Sequence, residues 1–207
     1  MPHCPFGFGK EVSMHGLTNR AIQCFVTDTY GQDRWAECAR VAGIGFSDFE
    51  AMLIYDAGLT GQILDASSVV LKRSRFELME DLGTYLVSHP NTKALRRLLR
   101  FGGGTFVEFL HSLDELPDRA RLAVADLELP ELDLRDVNAR QFSLTCRSPI
   151  EGTGYVFIGL LRAMADDYGA LVFLEHLGAT QGVETISIFL VISEFSTGRS
   201  FDLGVQV

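Results

Sequence analysis

Residues 102–104 are three consecutive glycines, and after them Phe106, Phe109, Leu110, Leu113 and Leu116 recur at spacings of three and four. That is the period of one helical face, so the five side chains form an apolar stripe that must be buried. The glycines supply a hinge, which predicts a helix entering a core from a flexible joint. Pro117 follows directly and removes a backbone donor, which predicts a kink or an end there. Whatever the fold, it has to present an apolar surface to this stretch.

Upstream the periodicity is helical. Leu17, Ala21, Ile22, Phe25 and Val26 predict a helix over 14–30, closed by Gly31. Asp33 caps a second helix to residue 42; residues 44–60 read as an ordered loop and 61–73 as a third helix. Ser74 and Glu77 have capping-box spacing for a helix through residue 87, which stops at His89 before Pro90. Asn91 caps a short helix to residue 100. Downstream the period changes to two. Leu132 and Leu134, then Phe142, Leu144 and Cys146, then Ile186, Ile188, Leu190 and Ile192 alternate with other residues. Further strands are predicted over 170–177 and 184–194, with a hairpin loop over 178–182 and one helix over 152–168. The expectation is an α+β domain, a helical N-terminal half followed by a mixed half with an antiparallel sheet and one long helix. Residues 1–13 show no periodicity and are read as an unstructured extension, with 14–207 as a single domain.

Composition narrows the function. The net charge is −9 and no basic cluster exceeds two residues, which argues against nucleic acid and anionic membrane as partners. No apolar run reaches the length of a membrane span, so a cytoplasmic protein is expected. Cys4, Cys24, Cys38 and Cys146 form no CxxC pair and read as small hydrophobes. No nucleophile elbow, zinc-protease helix, phosphate loop or dinucleotide fingerprint occurs, and no lysine follows the glycines, so an enzyme is not expected.

Three further patterns carry a family resemblance. Tyr30-Gly31 is followed by Trp35; Leu113-Asp114 and Leu116 are followed by Asp118-Arg119; and Ser148, Pro149 and Gly152 open the segment 148–163. Together they resemble the haem-nitric oxide/oxygen-binding (H-NOX) domain family over roughly residues 14–194. The resemblance implies a stand-alone gas sensor with a b-type haem (heme b) between the two halves. Nitric oxide or another diatomic gas would be the signal. A separate signalling protein, such as a diguanylate cyclase or a histidine kinase, would read it.

In that family a histidine on the helix matching 106–119 binds the iron. Here Pro117 stands at that position, with no nitrogen lone pair to give. His111 is the alternative metal ligand, about 120° around a helix and about 9 Å along it, so a local rearrangement would be needed. The resemblance places the propionate-binding motif at Ser143, Thr145 and Arg147. Alternation puts the three on one strand face, where Arg147 can pair with a carboxylate and Thr145 keeps a hydroxyl. Ser143 lacks the reach of the family's tyrosine. Pro130 matches a proline that packs against the haem, and Thr18, Ile22, Phe25, Phe76 and Met79 are the candidates for the upper pocket. His89 reads as a helix-end residue, His176 as a structural or surface group, and His15 matches the family's variable second position; none improves on His111. The rival reading is a haem-free interaction module, or a holder of another apolar ligand. Arg147 and Pro130 favour haem; Pro117 and Ser143 favour the rival.

Overall fold

The computed structural model describes residues 13–192. The helical half runs through β1 (Ser13–His15), α1 (Gly16–Tyr30), α2 (Gln32–Val41), β2 (Ile54–Asp56), α3 (Ala57–Leu71), α4 (Arg75–Ser88) and α5 (Lys93–Arg100). The mixed half follows with α6 (Phe106–His111), α7 (Leu116–Ala123), β3 (Glu131–Asn138), β4 (Gln141–Arg147), α8 (Thr153–Tyr168), β5 (Leu171–Thr180) and β6 (Val183–Ile192). The expected α+β organisation is the one the chain adopts.

Local chemistry sets several boundaries where they were expected. Ser74 Oγ accepts the Glu77 N–H while the Glu77 carboxylate accepts the Ser74 N–H, which starts α4. Gly31, at φ 96°, closes α1. Residues 44–60 are ordered by anchors outside their own pattern. Trp35 Nε1–H donates to Ser47 O at 2.8 Å, and Phe49 N–H donates to Gln23 Oε1 at 2.9 Å. Their end is more regular than expected. β2 pairs antiparallel with β1, and Asp56 caps α3, which begins at Ala57 rather than at 61. Of the expected extension over 1–13, only Ser13 lies within the described residues; the strand expected to reach 194 is described to Ile192.

The apolar stripe is buried, but its helix is broken. After His111, the Ser112 hydroxyl donates to Phe109 O at 2.7 Å, and the N–H groups of Leu113 and Leu116 donate to carbonyls three residues back. Helix α7 then restarts at Leu116. Pro117 therefore sits in a first turn, where no N–H is needed, and begins a helix rather than ending one. Arg119 spans the break, donating from Nη2 to Ser112 O at 2.6 Å. Asp114 accepts the Leu134 N–H at 2.9 Å on edge strand β3.

The sheet runs β3-β4-β6-β5 with every neighbour antiparallel. Its β5–β6 turn is tighter than the loop expected over 178–182. Gln181 and Gly182, with φ of 52° and 76°, make a two-residue turn of the kind that matches strand twist. Phe142, Leu144, Ile186 and Ile188 on its inner face share a core with α8 and the stripe of α6. A second core, around Trp35, Ile63 and Leu78, fills the helical half. The two halves meet where α4 crosses α8. A Cβ on Gly83 would collide with the Val156 carbonyl, and one on Gly159 with the Glu80 carbonyl, so glycine at both positions lets the backbones touch. Nearby, Arg162 pairs with Glu80, and Arg96 grips the buried Asp167 with two bonds of 2.6 and 2.8 Å, tying α5 to α8.

Candidate functional site

Beside that crossing, between the halves, lies a cavity of about 690 Å3. Leu17, Thr18 and Ile22 of α1 form one wall, Met79, Leu82 and Leu86 of α4 another, and Val156, Phe157 and Leu160 of α8 a third. Leu116 and Ala120 of α7 enclose it from the side where the stripe ends. The polar lining residues with solvent access, Glu128, Glu131, Arg147 and Gln181, gather at its mouth beside Pro130 and Ser148. An apolar enclosure with a few polar groups at one end is the usual form of a small-molecule site.

The structure brings part of the expected set to this cavity. Thr18, Ile22, Met79, Pro130 and Arg147 line it. Pro117 is buried between two lining residues of its own helix, Leu116 and Ala120, without itself lining the cavity. Phe25 lies in the helical core instead, edge-on to Tyr30 and Tyr85. Phe76 is 41% exposed and stacks on Tyr155, with ring centres 4.7 Å apart. Ser143 and Thr145 sit on the sheet face opposite the buried Phe142, Leu144 and Cys146. The Thr145 hydroxyl donates to Asp133 O at 3.3 Å, and neither residue lines the cavity. Arg147 reaches the mouth because it ends the strand. Its Nε lies 3.5 Å from Glu131.

His111 is not brought to the cavity. Its side chain is half exposed, with Nε2 3.6 Å from Asp136 and its ring edge-on to Phe142. Among the described residues no cluster of three His, Cys, Asp or Glu side chains could hold a metal ion. His15 is buried and caps α1 through Nδ1, accepting the Leu17 N–H. His89 Nδ1 lies 3.5 Å from Asp28. The Tyr85 hydroxyl donates to Asp28 at 2.6 Å; this bond, with help from Asn91 and His89, holds the carboxyl below its ordinary pKa.

One polar cluster beside the cavity went unread. Glu184 is buried, and its two oxygens accept the Gly152 N–H (2.8 Å) and the Gly154 N–H (3.0 Å) at the start of α8. His176 Nε2 lies 2.7 Å from Glu184 Oε2, and the His176 ring stacks on Tyr155 at 4.3 Å. A carboxylate at a helix N-terminus is favoured by the exposed N–H groups and by the dipole. The signal was present, since Glu184 is in phase with Ile186 and Ile188, where a charge needs a partner. Opposite it on β4, burial raises the Cys146 thiol to about 12, with the Glu184 charge adding to the shift.

A four-stranded antiparallel sheet backed by a long helix, with a helical half closing over an apolar cavity, defines an α+β ligand-binding fold. The haem-NO-binding family model matches residues 15–176, and the chain belongs to that family. The soluble guanylate cyclase gcy-31 of Caenorhabditis elegans is 25% identical over 154 residues, 74% of this chain and 22% of that protein. Soluble guanylate cyclase 89Da of Drosophila melanogaster is 23% identical over 168 residues, 81% of this chain and 25% of that protein. The chain thus spans about a quarter of the length of these curated relatives. Among solved structures, a triple mutant of an H-NOX protein from S. oneidensis in the Fe(II) ligation state superposes with a TM-score of 0.73 at 16% identity, covering 87% of this chain and 98% of that one. A mutant of the T. tengcongensis H-NOX superposes with a TM-score of 0.71 at 17% identity, covering 87% and 99%. These likenesses fix the fold.

The cavity matches haem in part. Its apolar walls suit a flat apolar ring, and Arg147 at the mouth suits a carboxylate. The iron is not matched in the same way. Histidine, cysteine and tyrosine are absent from the described lining, where the sulfur atoms are the thioethers of Met14 and Met79. No helix among the described residues is long and apolar enough to cross a membrane.

Proposed function

We propose that this chain is a sensor module, cytoplasmic and non-catalytic, in which a molecule enclosed between the halves is reported to a separate signalling protein. The observation that supports it is the apolar cavity of about 690 Å3 beside the glycine crossing of α4 with α8. Haem b is the occupant suggested by family membership, and nitric oxide or another diatomic gas the signal. A diguanylate cyclase or a histidine kinase is the kind of partner such a module serves. When bound, haem supplies an iron that takes the gas. The chain's own residues would do the rest. Arg147 leaves Glu131 to hold a carboxylate, the aliphatic walls exclude water, and Pro130 and Leu116 bound the space beside the ring.

The test is haem reconstitution of the full chain, followed by absorption spectra with and without nitric oxide. A stoichiometric Soret band that moves with nitric oxide supports the haem reading; uptake no greater than nonspecific background removes haem from it. The same spectra on His111→Ala are expected to be unchanged, because that side chain is half exposed and outside the cavity. A lost or shifted band in that variant would make His111 the iron ligand after rearrangement. A second reading, a cavity that takes an apolar ligand without iron, is favoured by Pro117 and by the missing donors.

A further inference from the structure

We infer that the ligand of this cavity is a flexible aliphatic monocarboxylate, such as a free fatty acid, held without any metal. The inference rests on the reading of the cavity as the sensing site. Three observations carry it. Phe157 is the one aromatic side chain in the described lining; the remaining apolar lining is aliphatic or thioether, with Met14 and Met79 able to follow a bent chain. The described lining residues offer iron no imidazole, thiolate or phenolate, and the side chain at position 117 is a proline ring. Among the described residues the mouth holds one cation for two acids. Arg147 is the only guanidinium or ammonium in the described lining, beside Glu128 and Glu131.

That charge count selects the head group. A single carboxylate can take Arg147 from its long, exposed contact with Glu131, since the pair is 3.5 Å apart with side chains 63% and 80% exposed. A second carboxylate on the same ligand would face Glu128 and Glu131 with no cation left. Ser148 does not compete for the head group: its Oγ accepts the Ile150 N–H (3.1 Å), and its proton goes to Thr153 Oγ1 (2.8 Å), because the Thr153 hydroxyl itself donates to Ile150 O at 2.6 Å. The alkyl chain would lie between α4 and α8, against Leu82 and Leu160. Each methylene buried there multiplies affinity roughly fourfold, until the cavity is full.

The experiment is calorimetric titration of the delipidated full chain with straight-chain fatty acids of increasing length, with hexadecanol as the uncharged control and haem as competitor. Affinity should climb roughly fourfold per methylene and then level off. Arg147→Gln should weaken palmitate about tenfold and leave hexadecanol unchanged. Ala120→Phe, which fills space from α7, should move the levelling point to shorter chains. An affinity independent of chain length, or an equal loss for acid and alcohol in Arg147→Gln, overturns the assignment. Stoichiometric haem uptake that palmitate does not displace also overturns it, while leaving the cavity-sensor reading intact. Failure to take up either probe removes both.

Discussion

Replacing Glu184 tests how far the carboxylate beneath α8 secures that helix to the sheet. The side chain is 6% exposed, and its oxygens serve two backbone N–H groups and His176. Glu184→Ala leaves the Gly152 and Gly154 donors buried without an acceptor, at about 1–3 kcal/mol each. It also removes an anion from the N-terminus of a helix, worth up to about 1 kcal/mol more. The sum, allowing for overlap between these contributions, is about 4 kcal/mol, a large share of the stability of an ordinary domain. Glu184→Gln keeps one acceptor and turns an NH2 toward a donor, so it should cost about 2 kcal/mol. In urea, with a slope of about 2 kcal/mol per molar, the midpoints should fall by about 2 M and 1 M. Glu175→Ala, exposed on β5, is the control and should leave the midpoint where it is. A midpoint shift below about 0.3 M for Glu184→Ala would refute the reasoning, because two orphaned donors cannot cost so little unless α8 is held from elsewhere.

Three other outcomes are expected. Gly83→Ala forces a methyl into the Val156 carbonyl, so thermal unfolding should show a loss of about 1–3 kcal/mol. Gly104→Ala, whose nearest neighbour is an ordinary contact at 3.6 Å, should lower stability far less. The depressed carboxyl of Asp28 makes stability depend on pH in one direction. Its contribution is full above the unfolded value of about 3.9 and is lost as the pH falls through the lower folded value. The stability gap between the native chain and Asp28→Asn should therefore close in acid; a gap that widened there would contradict the assigned sign. Pro117→His restores the residue that the family resemblance expects, flanked by the lining residues Leu116 and Ala120. Haem affinity should rise at least about tenfold, with a histidine-ligated spectrum. An unchanged haem titration would mean that the proline is not what keeps iron out.

Much of the fold was legible because burial leaves a periodic trace. The 3.6 period marked α1 and α4, and the alternation at Phe142, Leu144 and Cys146 marked both β4 and its inward face. The same trace misled at Ser112. Leu113 and Leu116 stay buried across the break, so the stripe continues although the helix does not. Periodicity reports which side chains are dry, and says nothing about which carbonyl each N–H finds. The pairing of β1 with β2 was out of reach for another reason, since three residues matched across forty positions carry no local pattern. The site divided along the same line. Ile22, Met79 and Arg147 were found by position, whereas His111 was a candidate by chemistry, and its helix face points it toward Asp136 and Phe142.

The glycine crossing of α4 and α8 has a mechanical consequence. Side chains between two helices act as springs, because rotamers can shift to absorb a displacement. At Gly83 and Gly159 backbone rests on backbone, and that compliance is gone. The contact is therefore stiff in the way a fulcrum is. Met79, Leu82 and Leu86 lie on one arm of the cavity, and Val156, Phe157 and Leu160 on the other. An occupant that spreads these arms cannot spend its effect on local repacking at the crossing. A displacement of either helix would instead be carried along the length of both.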